Sequence, residues 1–289
     1  MTWKTIIAGV DTTVEGGWAG AVAADLAARG NGTVHLIHAT IDATAMTMLP
    51  PTVSLDDYTG GLTKAARAAV TDRLGEVVPA EAIDTLEVRI GPPPFVLKEA
   101  VQEFGADLVV LGGRHRTAVE RWLEGSTAKH LIRSVDVPVL VTVTPKLEVQ
   151  RVLVAVDLSD LTETTFGVAR DWARAFDATL KVVHVVEPLP YDYAGIVQAP
   201  ESYVQWATEE FEQRMQMAGD DVPEHAVLSG SVGPLVAREA KQWDADLVVV
   251  GSHGKGWVDR TLLGSTTYGL LNRLPASLLV VPAGMARTD

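Results

Sequence analysis

Between Val248 and Leu274 the chain reads VVVGSHGKGWVDRTLLGSTTYGLLNRL. Gly251, Gly254 and Gly264, with the hydroxyls of Ser265 and Thr266, lie between an apolar run and a helical pattern. A missing Cβ lets a ligand approach the main chain closely and permits positive φ. Gly264-Ser265-Thr266 stands just before a helix whose apolar face is Thr267, Leu270, Leu271 and Leu274. Free N–H groups and the positive end of the helix dipole favour an anion there, and the hydroxyls add donors. The stretch reads as a phosphate cradle. The alternative is that the glycines only shape a turn and Ser265 caps the helix. The Walker spacing G-x-x-x-x-G-K-[ST] and the dinucleotide pattern G-x-G-x-x-G are both absent from it.

The elements that must position this stretch appear twice. IIAGVD (Ile6–Asp11) matches VLVAVD (Val152–Asp157), and VHLIHA (Val34–Ala39) matches KVVHVV (Lys181–Val186). FGADLVVLGGRH (Phe104–His115) matches WDADLVVVGSHG (Trp243–Gly254), and LEGSTAKHLI (Leu123–Ile132) matches LLGSTTYGLL (Leu262–Leu271). The offset is 146 at the first pair (157 minus 11) and 139 at the third (251 minus 112). About seven residues are therefore lost in between, as surface loops allow. So long a period is a duplicated domain and not a solenoid repeat. The boundary falls in the polar, proline-punctuated stretch Val143–Arg151, giving domains 1–145 and 150–284.

Each copy alternates apolar β-branched runs with helical patterns. The runs end at Asp11, Ala39, Gly112 and Val141, then at Asp157, Val186, Gly251 and Val281. Continuously apolar runs suit parallel strands covered on both faces. Leu97, Ala100, Val101 and Phe104 make one helix face, as do Ala128, Leu131, Ile132 and Val135. Such alternation predicts an α/β fold with right-handed crossovers and a doubly wound parallel sheet. In such sheets ligands bind beyond the carboxyl ends of the strands, where the strand order reverses. Gly251 lies at such an end.

The pattern G-x2-G-x9-G-[ST], here Gly251, Gly254, Gly264 and Ser265, resembles the ATP-binding signature of the universal stress protein family. The flanking DADLVVVGSHGKG, the late strand Pro138–Val141, and Asp11 and Asp157 after the first strands fit the same family. The resemblance covers nearly the whole chain, twice, as in a tandem member of the family. It implies two Rossmann-like domains of the adenine nucleotide alpha hydrolase-like type. Each would have five parallel strands flanked by helices, in order 3-2-1-4-5. It implies ATP as ligand; Mg2+ accompanying ATP is expected ahead of a dedicated transition-metal site, since it needs few protein ligands. Carried over by position, Ala155 and Asp157 would line the adenine and ribose pocket, and Val185 would lie against the base. Val250 and Gly251 would flank the nucleotide. Gly254, Gly264, Ser265 and Thr266 would hold ribose and phosphates. The first-copy counterparts are Asp11, Ala39, Gly112, Gly125, Ser126 and Thr127. There the pattern departs, because His115 stands where the second glycine belongs. It would either crowd the phosphates or, with Arg114 and Arg116, contact one. Family members pair through the last strand. The resemblance therefore implies an intramolecular pseudo-dimer with Val137–Val141 and Leu278–Val281 as seam, and leaves room for a homodimer.

Composition sets the remaining bounds. The chain has 289 residues, 47% hydrophobic and 21% charged, enough for about two domains. Net charge is −13, shared as −5 over residues 1–145 (12 basic, 17 acidic) and −8 over 146–289 (12 basic, 20 acidic). Neither nucleic acid nor an anionic membrane is the expected partner. With no cysteine, disulfides, thiolate metal sites and cysteine nucleophiles are excluded. The opening MTWKTIIAGVD is too short for a signal peptide or a membrane span, so a soluble cytoplasmic protein is expected. The seven histidines show no metal-binding spacing: His35 and His38 fall on opposite faces of a strand. Ser252 and His253 are loop neighbours without the G-x-S-x-G setting of a nucleophile. Met46–Pro51 and Tyr191–Tyr203 read as a loop and a helix flanking the sheet, and Glu209–Met217 as a solvated amphipathic helix.

The expected function is nucleotide binding as a regulatory or sensory input to a stress response, with at most slow hydrolysis. The alternatives are a nucleotide-free interaction module and a true ATPase or phosphotransfer enzyme.

Overall fold

The computed structural model describes residues 3–40, 54–113, 127–159, 161–187, 201–217, 223–252 and 264–287. They fall into two compact units, residues 3–113 with 127–147 and residues 148–287.

The first unit runs β1 (Thr5–Gly9), α1 (Val14–Gly30), β2 (Thr33–Thr40), α2 (Leu55–Leu74), α3 (Ala80–Ile83), β3 (Glu87–Ile90), α4 (Pro93–Phe104), β4 (Leu108–Gly112), α5 (Thr127–Ile132) and β5 (Val139–Thr142). Its strands pair in parallel in the order β3-β2-β1-β4-β5. The second unit runs β6 (Arg151–Val156), α6 (Leu161–Phe176), β7 (Thr179–Val186), α7 (Glu201–Met217), β8 (Glu224–Ser229), α8 (Val232–Gln242), β9 (Leu247–Gly251), α9 (Ser265–Leu271) and β10 (Ser277–Val281). Its order is β8-β7-β6-β9-β10, again all parallel. In both units the order reverses between the first and fourth strands, which places a crevice at their carboxyl ends.

The apolar runs become the strands buried on both faces: β4, β5, β9 and β10 are buried at nearly every residue. No such run announces β3 or β8. Both are partly exposed and carry charge, Glu87 and Arg89 in one and Glu224 in the other. Helix ends also repeat. Asn31 and Asp177 terminate α1 and α6 in the left-handed region, as do Gly105 and Asp244 after α4 and α8. Short polar side chains tolerate that conformation. Helix α7 departs from expectation. Its Glu209–Met217 stretch is not wholly solvated, because Phe211 is fully buried, with its ring 5.8 Å from His184 and 5.6 Å from His225.

One packing motif occurs twice with different chemistry. His35 of β2 stacks on Phe104 of α4 at 3.8 Å, and Arg89 stands 5.6 Å over the same ring. The matching residues, Lys181 and Trp243, lie 5.6 Å apart. Burial holds the His35 imidazole below its ordinary value, with Glu87 and Glu103 opposing and Arg89 assisting. A depressed folded value means that His35 supports the fold above the unfolded imidazole range, about 6.5, and ceases to as pH falls through the folded value. Stability of the first unit should therefore drop as pH falls below that range. His35→Phe should flatten this part of the profile, as followed by urea denaturation against pH.

Candidate functional site

The carboxyl ends of β6, β7 and β9 gather most of the described second-copy residues. Ala155, the penultimate residue of β6, is in register with Val250 of β9. Asp157 follows β6, and its Oδ1 accepts from the Ser159 N–H at 3.1 Å and from Ser159 Oγ at 2.6 Å. This closes a turn of the kind Asp forms with its own backbone two residues on. Val185, on β7, is buried. Beside it, His184 Nδ1 lies 2.8 Å from the Val156 carbonyl. A carbonyl only accepts, so Nδ1 carries the proton and the ring orientation is set.

Helix α9 is pinned to the end of β9. Gly264 N–H donates to the Ser252 carbonyl at 2.9 Å, and Thr267 Oγ1 donates to the Gly251 carbonyl at 2.7 Å. Ser252, fully buried, donates its N–H to the Val281 carbonyl at 2.8 Å, and its Oγ accepts from Ala283 N–H at 3.1 Å. Thus Gly264, Ser265 and Thr266 start a helix beside Gly251; Ser265 is exposed and Thr266 half-buried. Gly264 has φ −55° and ψ 142°, a conformation open to any residue. Neither Gly112 nor Gly251 has positive φ. The glycines that end β4 and β9 are therefore not required by unusual backbone geometry.

In the first copy Asp11 Oδ1 accepts from Thr13 N–H at 2.8 Å and from Thr13 Oγ1, and His38 Nδ1 lies 2.9 Å from the Val10 carbonyl. Asp11, Ala39 and Gly112 again sit at the ends of the first, second and fourth strands, and Thr127 starts α5. What approaches Gly112, however, is the protein itself. A Cβ built there would stand 2.2 Å from the Glu15 carbonyl oxygen in the first turn of α1. The position matching Thr267 (267 minus 139) is Ala128, which has no hydroxyl to hold the strand end. Gly254, Gly125 and Ser126, and with them Arg114, His115 and Arg116, lie outside the described residues. So do Met46–Pro51 and 191–200.

Ser159 and Thr267 were not singled out as site residues from sequence. The recurring Asp-x-[Ser/Thr] in DTT and DLS was the available signal for Ser159. Thr267 was visible only as part of a helix face. Among the described residues no three His, Asp or Glu side chains cluster to hold a metal ion, and no helix is long and apolar enough to cross a membrane.

Comparison with known proteins bears on both copies. The model of the universal stress protein family matches residues 2–143 and again 148–282. A universal stress protein of Mycobacterium tuberculosis is 32% identical over 188 residues, 61% of this chain and 61% of the relative. Universal stress protein A homolog 1 of Coxiella burnetii is 33% identical over 138 residues, 46% of this chain and 95% of the relative. The match thus spans less than two thirds of the mycobacterial relative's length. The crystal structure of a universal stress protein from Archaeoglobus fulgidus superposes with a TM-score of 0.67 at 18% identity, covering 96% of this chain and 98% of that one. That likeness is one of fold.

Proposed function

Because the chain belongs to the universal stress protein family in both halves, we propose that it is an adenine-nucleotide-binding regulatory protein whose second copy holds ATP. The observation that carries this reading is the convergence of Ala155, Asp157, Val250 and Gly251 at the strand-order reversal of the second unit, directly beside the start of α9. Asp157 supplies an acceptor for a sugar hydroxyl. Ala155 and Val250 supply apolar surface for a base. Gly251 and Gly264 expose main chain to a polyphosphate. Mg2+ would come with the phosphates and needs few protein ligands. The proposed role is binding, with slow turnover at most. A turnover number at ordinary enzymatic rates, on the order of 1 s⁻¹ or above, would favour the ATPase reading instead.

The first copy is the poorer site, since α1 packs onto Gly112 where a ligand would approach and Ala128 replaces the anchoring threonine. Calorimetry of the full chain with ATP is therefore expected to give about one high-affinity nucleotide per chain. Mass spectrometry of the purified protein should detect adenine nucleotide. Empty protein that takes up no ATP at millimolar concentration would refute the assignment.

A further inference from the structure

The turn between β6 and α6 differs from its first-copy counterpart. At the offset of 146, Thr12 matches Leu158, Thr13 matches Ser159, and Gly16 matches Thr162. In the first copy the turn is closed and satisfied. Thr13 Oγ1 caps α1 by accepting from Gly16 N–H at 3.0 Å. Gly16 lies so close to the preceding turn that a Cβ built on it would stand 2.2 Å from Asp11 Oδ1. A side chain at this helical position is thus directed at the carboxylate that ends the first strand.

In the second copy a threonine occupies that position, and the chain takes another path to admit it. Leu158 adopts the left-handed region at φ 61°, which Thr12 does not. A leucine there is strained. Arg214 of α7 holds it, donating from Nη1 to the Leu158 carbonyl at 3.2 Å while Nε reaches Glu210 at 3.2 Å. Thr162 is 5% exposed, and its Oγ1 has no hydrogen-bond partner among the described residues. A buried hydroxyl left unpaired is unfavourable in the free protein. The second copy therefore carries a strained leucine in the turn and, in the first turn of α6, an orphaned hydroxyl at the position whose first-copy counterpart faces the strand-ending carboxylate. The first copy, with glycine at the matching position, has no hydroxyl to satisfy.

We propose that Thr162 is a further ligand-contacting residue of the second site, its hydroxyl hydrogen-bonding a polar group of the bound nucleoside next to Asp157. The assignment rests on the nucleotide reading above and extends it to a residue outside the glycine pattern. It also gives a reason why the two copies differ in affinity. The test is Thr162→Val in the full chain, which keeps the branched shape and removes only the hydroxyl. By calorimetry the variant should bind ATP about fivefold more weakly, the worth of one ordinary hydrogen bond. Without nucleotide it should melt at or above the wild-type temperature, because an unpaired buried hydroxyl has been removed. Thr162→Ser should return affinity toward wild type. ATP binding by Thr162→Val equal to wild type would overturn the assignment. So would a lower melting temperature of the nucleotide-free variant, since the hydroxyl would then be satisfied within the fold. Failure of the wild-type chain itself to bind ATP is a separate result, which removes the nucleotide reading and this residue's role together.

Discussion

Gly264→Glu is expected to abolish ATP retention while leaving the fold intact. At φ −55° and ψ 142° the position accepts any residue without backbone strain, and the residue is only half-buried. Its N–H bond to the Ser252 carbonyl is a main-chain bond that the substitution retains. What changes is the charge beside the proposed phosphate position. Juxtaposing like charges costs several kcal/mol, so affinity should fall by more than about 100-fold. Gly264→Ala adds volume without charge and should bind more tightly than the glutamate variant. Equilibrium dialysis with ATP, alongside circular dichroism, reads both arms. A folded glutamate variant that keeps ATP would displace the site from the start of α9.

Lys181→Ala should produce the largest loss of stability. Lys181 Nζ lies 2.6 Å from Glu224 and 2.9 Å from Glu239, and the lysine and Glu239 side chains are only 10% and 14% exposed. Removing the lysine leaves the Glu239 carboxylate buried without its partner. Breaking a buried pair in this way typically costs 3–5 kcal/mol, and the half-exposed Glu224 argues for the lower end, about 3 kcal/mol. Urea denaturation would measure it. Adding Glu239→Gln should recover part of the loss, because the two changes share one interaction. The pH dependence has a definite sign. The hydrogen bond from Lys181 holds the Glu224 carboxyl below its ordinary value, against some desolvation. A depressed carboxyl contributes stability above the unfolded carboxylate range and loses it as pH falls through the folded value. The deficit of Lys181→Ala should therefore be full at neutral pH and shrink in acid. A deficit independent of pH would show that Lys181 acts through its buried stem and the 5.6 Å approach to Trp243 and not through its charge.

The duplication, the parallel α/β class and four of the five strands in each unit were legible because they rest on continuous apolar runs. The edge strands β3 and β8 escaped that test: a strand covered on few sides needs no unbroken apolar run, and Glu87, Arg89 and Glu224 break it. Phe211 escaped for the opposite reason. Its neighbours in sequence are polar, so the stretch reads as solvated, yet its ring is fully buried beside His184.

The same division runs through the site. The glycine spacing drew attention to Gly251 and Gly264, and the family resemblance added Asp157 at the end of the first strand. Neither could show that Gly112 is filled by the Glu15 carbonyl, that Thr267 holds Gly251 across 16 residues, or that Arg214 holds Leu158 across 56. Order along the chain is enough to determine which apolar segments become central strands and which of their ends face the crevice. Whether a crevice is open, closed by its own helix or lined by an unsatisfied hydroxyl depends on distances between atoms far apart in sequence. The sequence already separates the two copies at His115, and the fold adds the contacts at Gly112 and Leu158 to that difference.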